Sequence, residues 1–406
     1  MTVRPSNEGR SAAVQPGMAD TLMIPAERGT AALVRRLAGE NDAAGIVLGW
    51  RADPPAPQSL APRSIHLGRD APARMYLGVI VNPRARKNIA ARTDRSAELR
   101  RIVGRCGEVH ETASIEELRE VIEQLHPRVT HLVGDGGDGA LHWLVNEMQH
   151  CVDDPDRWPA FVPTNGGSVN AVARKAGVRG RADAIVRKLA AAADKDQFPP
   201  EMWLDTLELD GATADGAPFH RLCFGLAAGG VGNRFYDKYY ANPDHGRAAV
   251  ARVIGRTFGD YITNKIAPGH MERENWAAHL FAPTHARVVI DGEEVPTRTH
   301  RVLHAGAIDL RIGGPFRLFP RASEPGALHF QAGEIRPSSI VAQLPAALTY
   351  GRLRGSGVRD VNGREMIIEA DDEPLSPIID GERFDGIVRL VARAGPRIRV
   401  APVAHG

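Results

Sequence analysis

The sequence contains few cysteines. Its 406 residues include three, Cys106, Cys151 and Cys223, which are widely spaced. An odd number of cysteines without a C-x-x-C pair argues against a disulfide framework and against a zinc site. Since such usage is typical of a reducing compartment, we expect a cytoplasmic location.

Long apolar runs are also absent. No stretch approaches the roughly 18 apolar residues that a transmembrane helix needs. The N-terminal segment MTVRPSNEGRSAAVQPG lacks the apolar core of a signal peptide, so we expect no cleaved signal. Any membrane contact is therefore predicted to be peripheral.

The chain has no large excess of charge of either sign. Lys plus Arg number 51 and Asp plus Glu number 49, so the net charge of +2 says little about partners. The segment 84–105 is locally basic, with eight Lys or Arg against Asp94 and Glu98. This segment is either a solvated helix face or an anion-binding surface. We expect no nucleic-acid partner, and the sequence leaves open whether the protein forms a homodimer.

Three regions are predicted along the chain. Residues 1–74 form an extension with a proline-rich linker, RADPPAPQSLAPRS. Residues 75–200 alternate strand and helix patterns, which predicts a doubly wound, mostly parallel α/β sheet. Residues 201–406 contain strand-like runs separated by Gly, Pro and Asp, which predicts an antiparallel β domain. The last strand is a candidate to return to the first domain, and the site is expected in the cleft between the domains.

A glycine-rich loop follows the third predicted strand in THLVGDGGDGALHWLVNEM. Its glycines fit G-x-G-x-x-G, but the next strand does not end in the acidic residue that a dinucleotide site uses for the ribose. A P-loop is excluded because Ala140 and Leu141 stand where lysine and a hydroxyl residue are needed. The remaining interpretations are a phosphate cradle with a magnesium-ordering aspartate, or a tight turn whose aspartates cap helices.

Two other strand ends carry residues suited to phosphate. PTNGGSVNAVAR follows the fourth strand with paired glycines, a hydroxyl and an amide. Asn82-Pro83 ends the first strand and is followed by Arg84, Arg86 and Lys87. The carboxyl ends of parallel strands meet at one sheet edge, where open α/β sheets bind ligands. Three such ends favour the phosphate interpretation over coincidental turns.

The set VNPRARK, GGDGALHWLVN and GGSVNAVAR resembles the diacylglycerol kinase catalytic domain. Bacterial diacylglycerol kinases, sphingosine kinases and ceramide kinases share this domain. The motif order and spacing match over about residues 75–405. The resemblance implies an α/β nucleotide-binding domain followed by a β-sandwich, with the site between them.

By position, the resemblance implies an ATP site at these strand ends, with ATP and Mg²⁺ as cofactors. Asp138 is its acid, implied to position magnesium or the acceptor hydroxyl. The residues implied to bind ATP are Asn82, Pro83, Arg84, Arg86, Lys87, Thr112, Gly136, Gly137, Gly139, Gly167, Ser168 and Asn170.

Several positions depart from the family pattern. Ala140 replaces a threonine, Ala171 replaces an aspartate, and His142-Trp143 replaces Asn-Glu. Sphingosine kinases are similar at His142 and Ala171, which favours a long-chain base, ceramide or similar lipid alcohol as acceptor. For His142 itself we favour packing beside the loop over direct chemistry.

The tripeptide Asp-Gly-Glu occurs twice, at 291–293 and at 380–382. Each is typical of a tight hairpin turn. The resemblance separates them, because the family has this tripeptide just before a closing strand and its acids are implicated as the catalytic base. Asp380 and Glu382 match that place, and a carboxylate is adequate to orient an attacking hydroxyl.

The predicted function is that of an ATP-dependent lipid kinase acting on a lipid alcohol at a membrane surface. CFGLAAGGVGNRFYDKYY, with small residues beside tyrosines, is a candidate apolar slot for the lipid or an ordinary strand and helix. One alternative is a nucleotide-binding regulator that has lost catalysis, which Ala140 and Trp143 favour. Another is a kinase of a soluble acceptor such as NAD, whose enzymes share the G-G-D-G loop.

Overall fold

The structure is a computed structural model, and it describes residues 74–83, 94–167, 169–241, 247–266, 275–312, 316–350 and 353–403. The predicted extension over 1–74 lies outside the described residues except for its last residue. Four predicted site residues also lie outside them: Arg84, Arg86, Lys87 and Ser168.

A parallel sheet forms the first part of the fold. β1 and β3 are fully buried, as expected when helices cover both faces, whereas β2 lies at the edge of the sheet and is partly exposed. The strand order β2-β1-β3-β4 places the two glycine-rich loops side by side, after β3 and β4. The strands are β1 (Leu77–Val81), β2 (Gly107–Glu111), β3 (His131–Asp135) and β4 (Ala160–Pro163).

Five helices follow these strands, and their boundaries have local causes. The pattern S-x-x-E at Ser114 and Glu117 predicts a capping box, and the structure confirms it, since the Ser114 hydroxyl accepts a hydrogen bond from the Glu117 amide at 3.2 Å. The sequence predicts a helix from Ala140 to about Gln149 after the glycine-rich loop, and in the structure this helix begins two residues earlier, at Asp138. The helices are α1 (Arg95–Val103), α2 (Ile115–Leu125), α3 (Asp138–Cys151), α4 (Ala171–Lys175) and α5 (Ala182–Asp194).

Two antiparallel sheets follow, as predicted from the strand-like runs. One has the order β10-β9-β17-β20-β6-β7 with β11 beside β9, and the other has the order β16-β15-β12-β8-β18-β19. The first comprises β6 (Leu207–Thr213), β7 (Pro218–Cys223), β9 (Thr284–Ile290), β10 (Glu293–Glu294), β11 (Thr299–His300), β17 (Glu365–Ala370) and β20 (Ile387–Ala394). The second comprises β8 (Gly225–Gly229), β12 (Val302–Gly306), β15 (Leu328–Glu334), β16 (Gly357–Gly363), β18 (Ile378–Ile379) and β19 (Glu382–Arg383).

Alternating side chains of these two sheets share one hydrophobic core. Leu209, Val288 and Ile368 come from the first antiparallel sheet, while Leu303 and Phe330 come from the second. Each is fully buried. Since successive side chains of a strand point to opposite faces, these residues occupy the inward-facing positions of the two sheets. The mixed α/β fold with a parallel sheet and separate antiparallel sheets is therefore confirmed.

The parallel sheet is completed by two strands from outside the predicted first domain. β5 (Met202–Leu204) follows the predicted boundary at 200/201, yet it pairs antiparallel with β21 (Ile398–Val400). β21 in turn pairs parallel with β4. The first and last strands of the described chain thus lie in the same sheet, which ties the two parts of the fold together.

Four more helices and a hairpin cover the outer face of the second antiparallel sheet. Val253, Leu280 and Ile340 from the helices pack with Val302 of β12. Of the described helices, none is long and apolar enough to cross a membrane. The helices are α6 (Gly230–Tyr240), α7 (Arg247–Ile266), α8 (Trp276–Leu280) and α9 (Pro337–Tyr350), and the hairpin is β13 (Leu310–Ile312) with β14 (Phe316–Leu318).

Candidate active site

A cavity of about 950 Å³ lies at the carboxyl ends of the parallel strands. Asn82 after β1, Thr112 after β2 and the glycine-rich loops after β3 and β4 all line it. The opposite wall comes from the later part of the chain, including Tyr236 and Glu382. Pro83 is described but does not line the cavity.

The two glycine-rich loops touch through their backbones. A Cβ added to Gly137 would lie 2.4 Å from Gly167 Cα, and one added to Gly166 would lie 2.9 Å from Gly136 Cα. The Gly166 amide donates to the Gly136 carbonyl at 3.0 Å. Side chains at these positions would push the loops apart, so glycine here serves close backbone approach.

Asn170 shapes the second loop from within. It has a left-handed backbone (φ 52°), which asparagine tolerates better than most residues. Its Oδ1 accepts from the Gly167 amide at 2.9 Å, and its Nδ2 donates to the Gly167 carbonyl at 2.8 Å. Asn170 therefore holds the loop in shape, a role that is compatible with, but distinct from, ligand contact.

Asp138 caps a helix that belongs to the other loop. Its carboxylate accepts from the amides of Ala171, Val172 and Ala173 at 2.5, 3.1 and 3.4 Å. These amides begin α4 and have no partners within that helix. Asp138 thus joins the two loops, and its predicted roles with magnesium and the acceptor stay predictions.

Burial raises the pKa of Asp138 from its ordinary value to about 6, and the amide hydrogen bonds oppose this shift. The folded protein therefore holds this proton to higher pH than the unfolded chain does. The contribution of Asp138 to stability consequently falls as pH rises from about 4 to about 6 and is constant above.

We predict an acid limb near pH 6 in the pH profile of any nucleotide-dependent activity, because protonation of Asp138 weakens its hold on α4. The check is a profile of kcat/KM for the wild type and for Asp138→Asn. The limb should be absent from the variant, and a limb that persists there would assign it to another group.

The other aspartate of the loop, Asp135, is neutralised locally. Arg95 in α1 binds it through two nitrogens, at 2.8 and 3.0 Å, and also contacts Asp183. Arg95 belongs to the basic segment 84–105, whose two interpretations the sequence left open. For this residue the structure shows an ion pair within the fold.

Asp380 is held in place by its neighbours. Its Oδ1 accepts from the Phe224 and Gly225 amides, both at 2.9 Å, and its Oδ2 lies 3.1 Å from His142 Nδ1. The side chains of His142 and Asp380 are 0% and 2% exposed. The favoured interpretation of His142 as a packed residue therefore agrees with the structure, and His142 connects α3 to the Asp-Gly-Glu turn.

Glu382 lies over the start of α3. A Cβ added to Gly139 would lie 2.6 Å from Glu382 Oε1. Among the described residues, none forms a hydrogen bond or ion pair with this carboxylate. The second Asp-Gly-Glu tripeptide, at 291–293, lies elsewhere, in the hairpin between β9 and β10.

Trp143 packs in a cluster of aromatic rings and one cation. Its ring lies 6.2 Å from that of Phe384 and 5.7 Å from the guanidinium carbon of Arg221. Arg221 also lies over Phe219. In place of the family acid, Trp143 thus contacts the Arg221 guanidinium of β7 and the Phe384 ring in the turn after β19.

Asn146 is a buried connection that the sequence analysis missed. Its side-chain amide accepts from the Leu222 amide and donates to the Leu222 carbonyl, both at 2.9 Å. It therefore fixes α3 against β7, as a strand neighbour would. The only sequence signal was a polar residue on the buried face of a predicted helix.

A second, apolar cavity of about 260 Å³ adjoins the first. Ala227, Tyr236, Tyr239 and Phe319 line both cavities. Burial and the neighbouring Tyr240 and Asp138 raise the pKa of Tyr236, so its hydroxyl stays protonated. The predicted apolar slot in residues 223–240 thus supplies part of this wall, since β8 and α6 both lie in that stretch.

The predicted site residues within the described chain come together at this cavity, with Pro83 as the exception. Residues 76–197 match the family model of the diacylglycerol kinase catalytic domain. The predicted family resemblance is confirmed over these residues.

Two solved structures are similar in fold, each described as a candidate diacylglycerol kinase from Bacillus anthracis str. Sterne. One has a TM-score of 0.52 at 13% sequence identity and the other a TM-score of 0.51 at 14%. In both cases the match covers 81% of this chain and 97% of the other. No curated protein shows a significant match. Identity this low shows a shared fold and no more.

Proposed function

We propose that this protein is an ATP-dependent lipid kinase with its site in the cleft between two domains. The observation that carries the proposal is the position of Glu382. Its carboxylate lies at Gly139 in the cavity that the glycine-rich loops line, and that cavity shares wall residues with the adjoining apolar one. A phosphoryl donor and an apolar acceptor would meet at that point.

The glycine-rich loops are suited to hold the phosphates of ATP. The backbone of Gly136–Gly137 and Gly166–Gly167 carries no side chains, and α3 begins directly after Gly137. Backbone amides and helix N-termini together favour anions. Bound Mg²⁺ would neutralise the charge between phosphate and carboxylate, and Asp138 and Asn82 are oxygen donors of this cavity that would hold it.

The acceptor hydroxyl would be activated by Glu382. This carboxylate has the reach of a long side chain and no competing partner among the described residues, so it can accept the proton of an attacking alcohol. Asp380 is committed to two amides and His142, which suits it to positioning the turn. Resemblance to sphingosine kinases at His142 and Ala171 favours a sphingoid base or ceramide over diacylglycerol.

The test is phosphoryl transfer from labelled ATP by the pure protein. The acceptors are dioleoylglycerol, sphinganine, ceramide and NAD, each with Mg²⁺. We expect a phosphorylated lipid and no NADP. Formation of NADP, or no transfer to any lipid, would contradict the proposal.

A nucleotide-binding regulator is the second candidate function. It is favoured by Ala140, which leaves no hydroxyl in the first turn of α3, and by Trp143, which replaces an acid with an apolar contact. ATP binding without turnover in the same assay would favour it over the kinase.

We also propose that the protein works at a membrane surface, and α7 offers a contact. Ile262 and Ile266 are 41% and 78% exposed and lie one turn apart on one helix face. Ile266→Asp should weaken binding to anionic vesicles by roughly thirtyfold, since burying one isoleucine contributes about 2 kcal/mol. Sedimentation with vesicles measures this.

A short-chain acceptor such as dihexanoylglycerol supplies the control for Ile266→Asp. Because it needs no membrane, its turnover should equal that of the wild type. Unchanged vesicle binding would place the membrane contact elsewhere.

A further inference from the structure

The apolar cavity has a polar patch on its wall. His304 of β12 and Gln331 of β15 line it among aliphatic and aromatic residues. The two are paired across the strands, so their side chains project from the same face of the sheet. Their neighbours in sequence, Leu303, Ala305 and Phe330, point the other way into the sandwich core.

Two atoms of this patch have no hydrogen-bond partner among the described residues. They are His304 Nε2 and Gln331 Nε2, and both atoms are buried. Gln331 is 7% exposed. A buried polar atom without a partner costs free energy, so groups of this kind normally have one in the working protein.

The patch is electrically neutral. Burial lowers the pKa of His304 to about 4, against the smaller opposing effect of a hydrogen bond with Gln331. The charged groups nearby have partners: Arg317 binds Asp309 at 2.8 Å, and Asp360 accepts from Arg321 at 2.7 Å. A ligand group held here would therefore be uncharged, since an ion would find no counter-charge.

The position of the patch connects it to the candidate active site. Ala227 pairs with His304 on the neighbouring strand and lines both cavities. Gly232 allows α6 to pass close to the imidazole, because a Cβ there would lie 2.2 Å from His304 Nε2. The patch thus lies along the wall that a lipid entering from the active site would follow.

We propose that His304 and Gln331 recognise a neutral hydroxyl group carried on the hydrocarbon portion of the lipid acceptor. A hydroxyl oxygen can accept from the Gln331 amide and donate to the imidazole nitrogen, so one group satisfies both atoms. This inference rests on the proposed function, and it narrows the acceptor to lipids that carry a hydroxyl on the hydrocarbon chain in addition to the hydroxyls of the head group.

The test is a comparison of lipids that differ by chain hydroxyls, measured as binding in mixed micelles without ATP. Sphinganine against phytosphingosine places the extra hydroxyl near the head, and dioleoylglycerol against diricinoleoylglycerol places it in the chains. We expect the hydroxylated member of one pair to bind about tenfold more tightly, the effect of a satisfied buried polar group.

Gln331→Leu and His304→Phe should each bring that preference close to unity without weakening binding of the lipid that lacks the hydroxyl. Gln197→Leu is the control, because Gln197 is exposed and lies outside the cavity. Thermal unfolding shows which variants are folded. Because the two substitutions lie on different strands, one folded variant is enough to test the inference.

Equal binding of both members of every pair by the wild type would overturn the inference, and so would a preference that survives in a folded variant. Binding is measured apart from phosphoryl transfer. A protein that prefers the hydroxylated lipid but transfers no phosphate would therefore refute the kinase proposal and leave this one standing.

Discussion

Glu382→Gln should lower the rate of phosphoryl transfer by roughly 10²–10⁴-fold, the usual effect of removing a general base. The amide keeps the size and hydrogen-bonding reach of the carboxylate but cannot accept the proton of the attacking hydroxyl. ATP affinity should change little, because the loops that would hold the phosphates are untouched. Single-turnover assays with labelled ATP and calorimetric titration of ATP measure the two quantities.

Glu373→Gln is the matched control, since Glu373 is exposed and lies outside the cavity. It should behave as the wild type. A Glu382→Gln enzyme with more than about a tenth of wild-type turnover would remove Glu382 from the role of base.

Asp380 is the natural rival for that role, and its contacts argue against it. Both of its oxygens are occupied, by two amides and by His142. Losing one of these bonds would disturb the turn that carries Glu382. A loss of activity in an Asp380 variant would thus accompany a loss of stability, whereas Glu382→Gln should leave the unfolding temperature unchanged.

Local patterns in the sequence were sufficient for much of the fold. Strand, loop and helix succeed one another at short range, so Ser114 could be recognised as a cap and the glycine-rich loops as strand ends. The family resemblance then selected Asp380 and Glu382 over Asp291 and its neighbours. The structure places Glu382 at Gly139, a contact between residues far apart in the chain.

Other parts of the site depend on contacts that no local pattern encodes. Asp138 was expected to serve magnesium or the acceptor, and in the structure it caps α4 across the gap between the loops. Trp143 stands where the family pattern has an acid, and in the structure its ring packs against Arg221 and Phe384. In each case the partner residue is far away in the sequence. A local sequence pattern therefore cannot predict the contact.

Gly137→Ala should destabilise the protein and weaken ATP binding by more than tenfold. The added Cβ would lie 2.4 Å from Gly167 Cα, and backbone atoms cannot move aside as a flexible side chain can. Such overpacking costs typically 1–3 kcal/mol, and any relief must come from separating the loops. Chemical denaturation and ATP titration measure both effects.

Gly259→Ala provides the control, because this helical glycine has no atom within 4 Å of an added Cβ. Alanine favours helix by roughly 0.5–1 kcal/mol over glycine, so this variant should be slightly more stable. Wild-type ATP affinity in Gly137→Ala would mean that the contact between the loops does not shape the nucleotide site.

A double variant tests whether that contact is shared. A Cβ on Gly167 would lie 2.6 Å from Gly137 Cα, so either substitution forces the same separation. Once one methyl has parted the loops, the second should cost less, and Gly137→Ala with Gly167→Ala should destabilise by less than the sum of the two. Full additivity would mean that the loops respond independently, and it would contradict a shared contact between them.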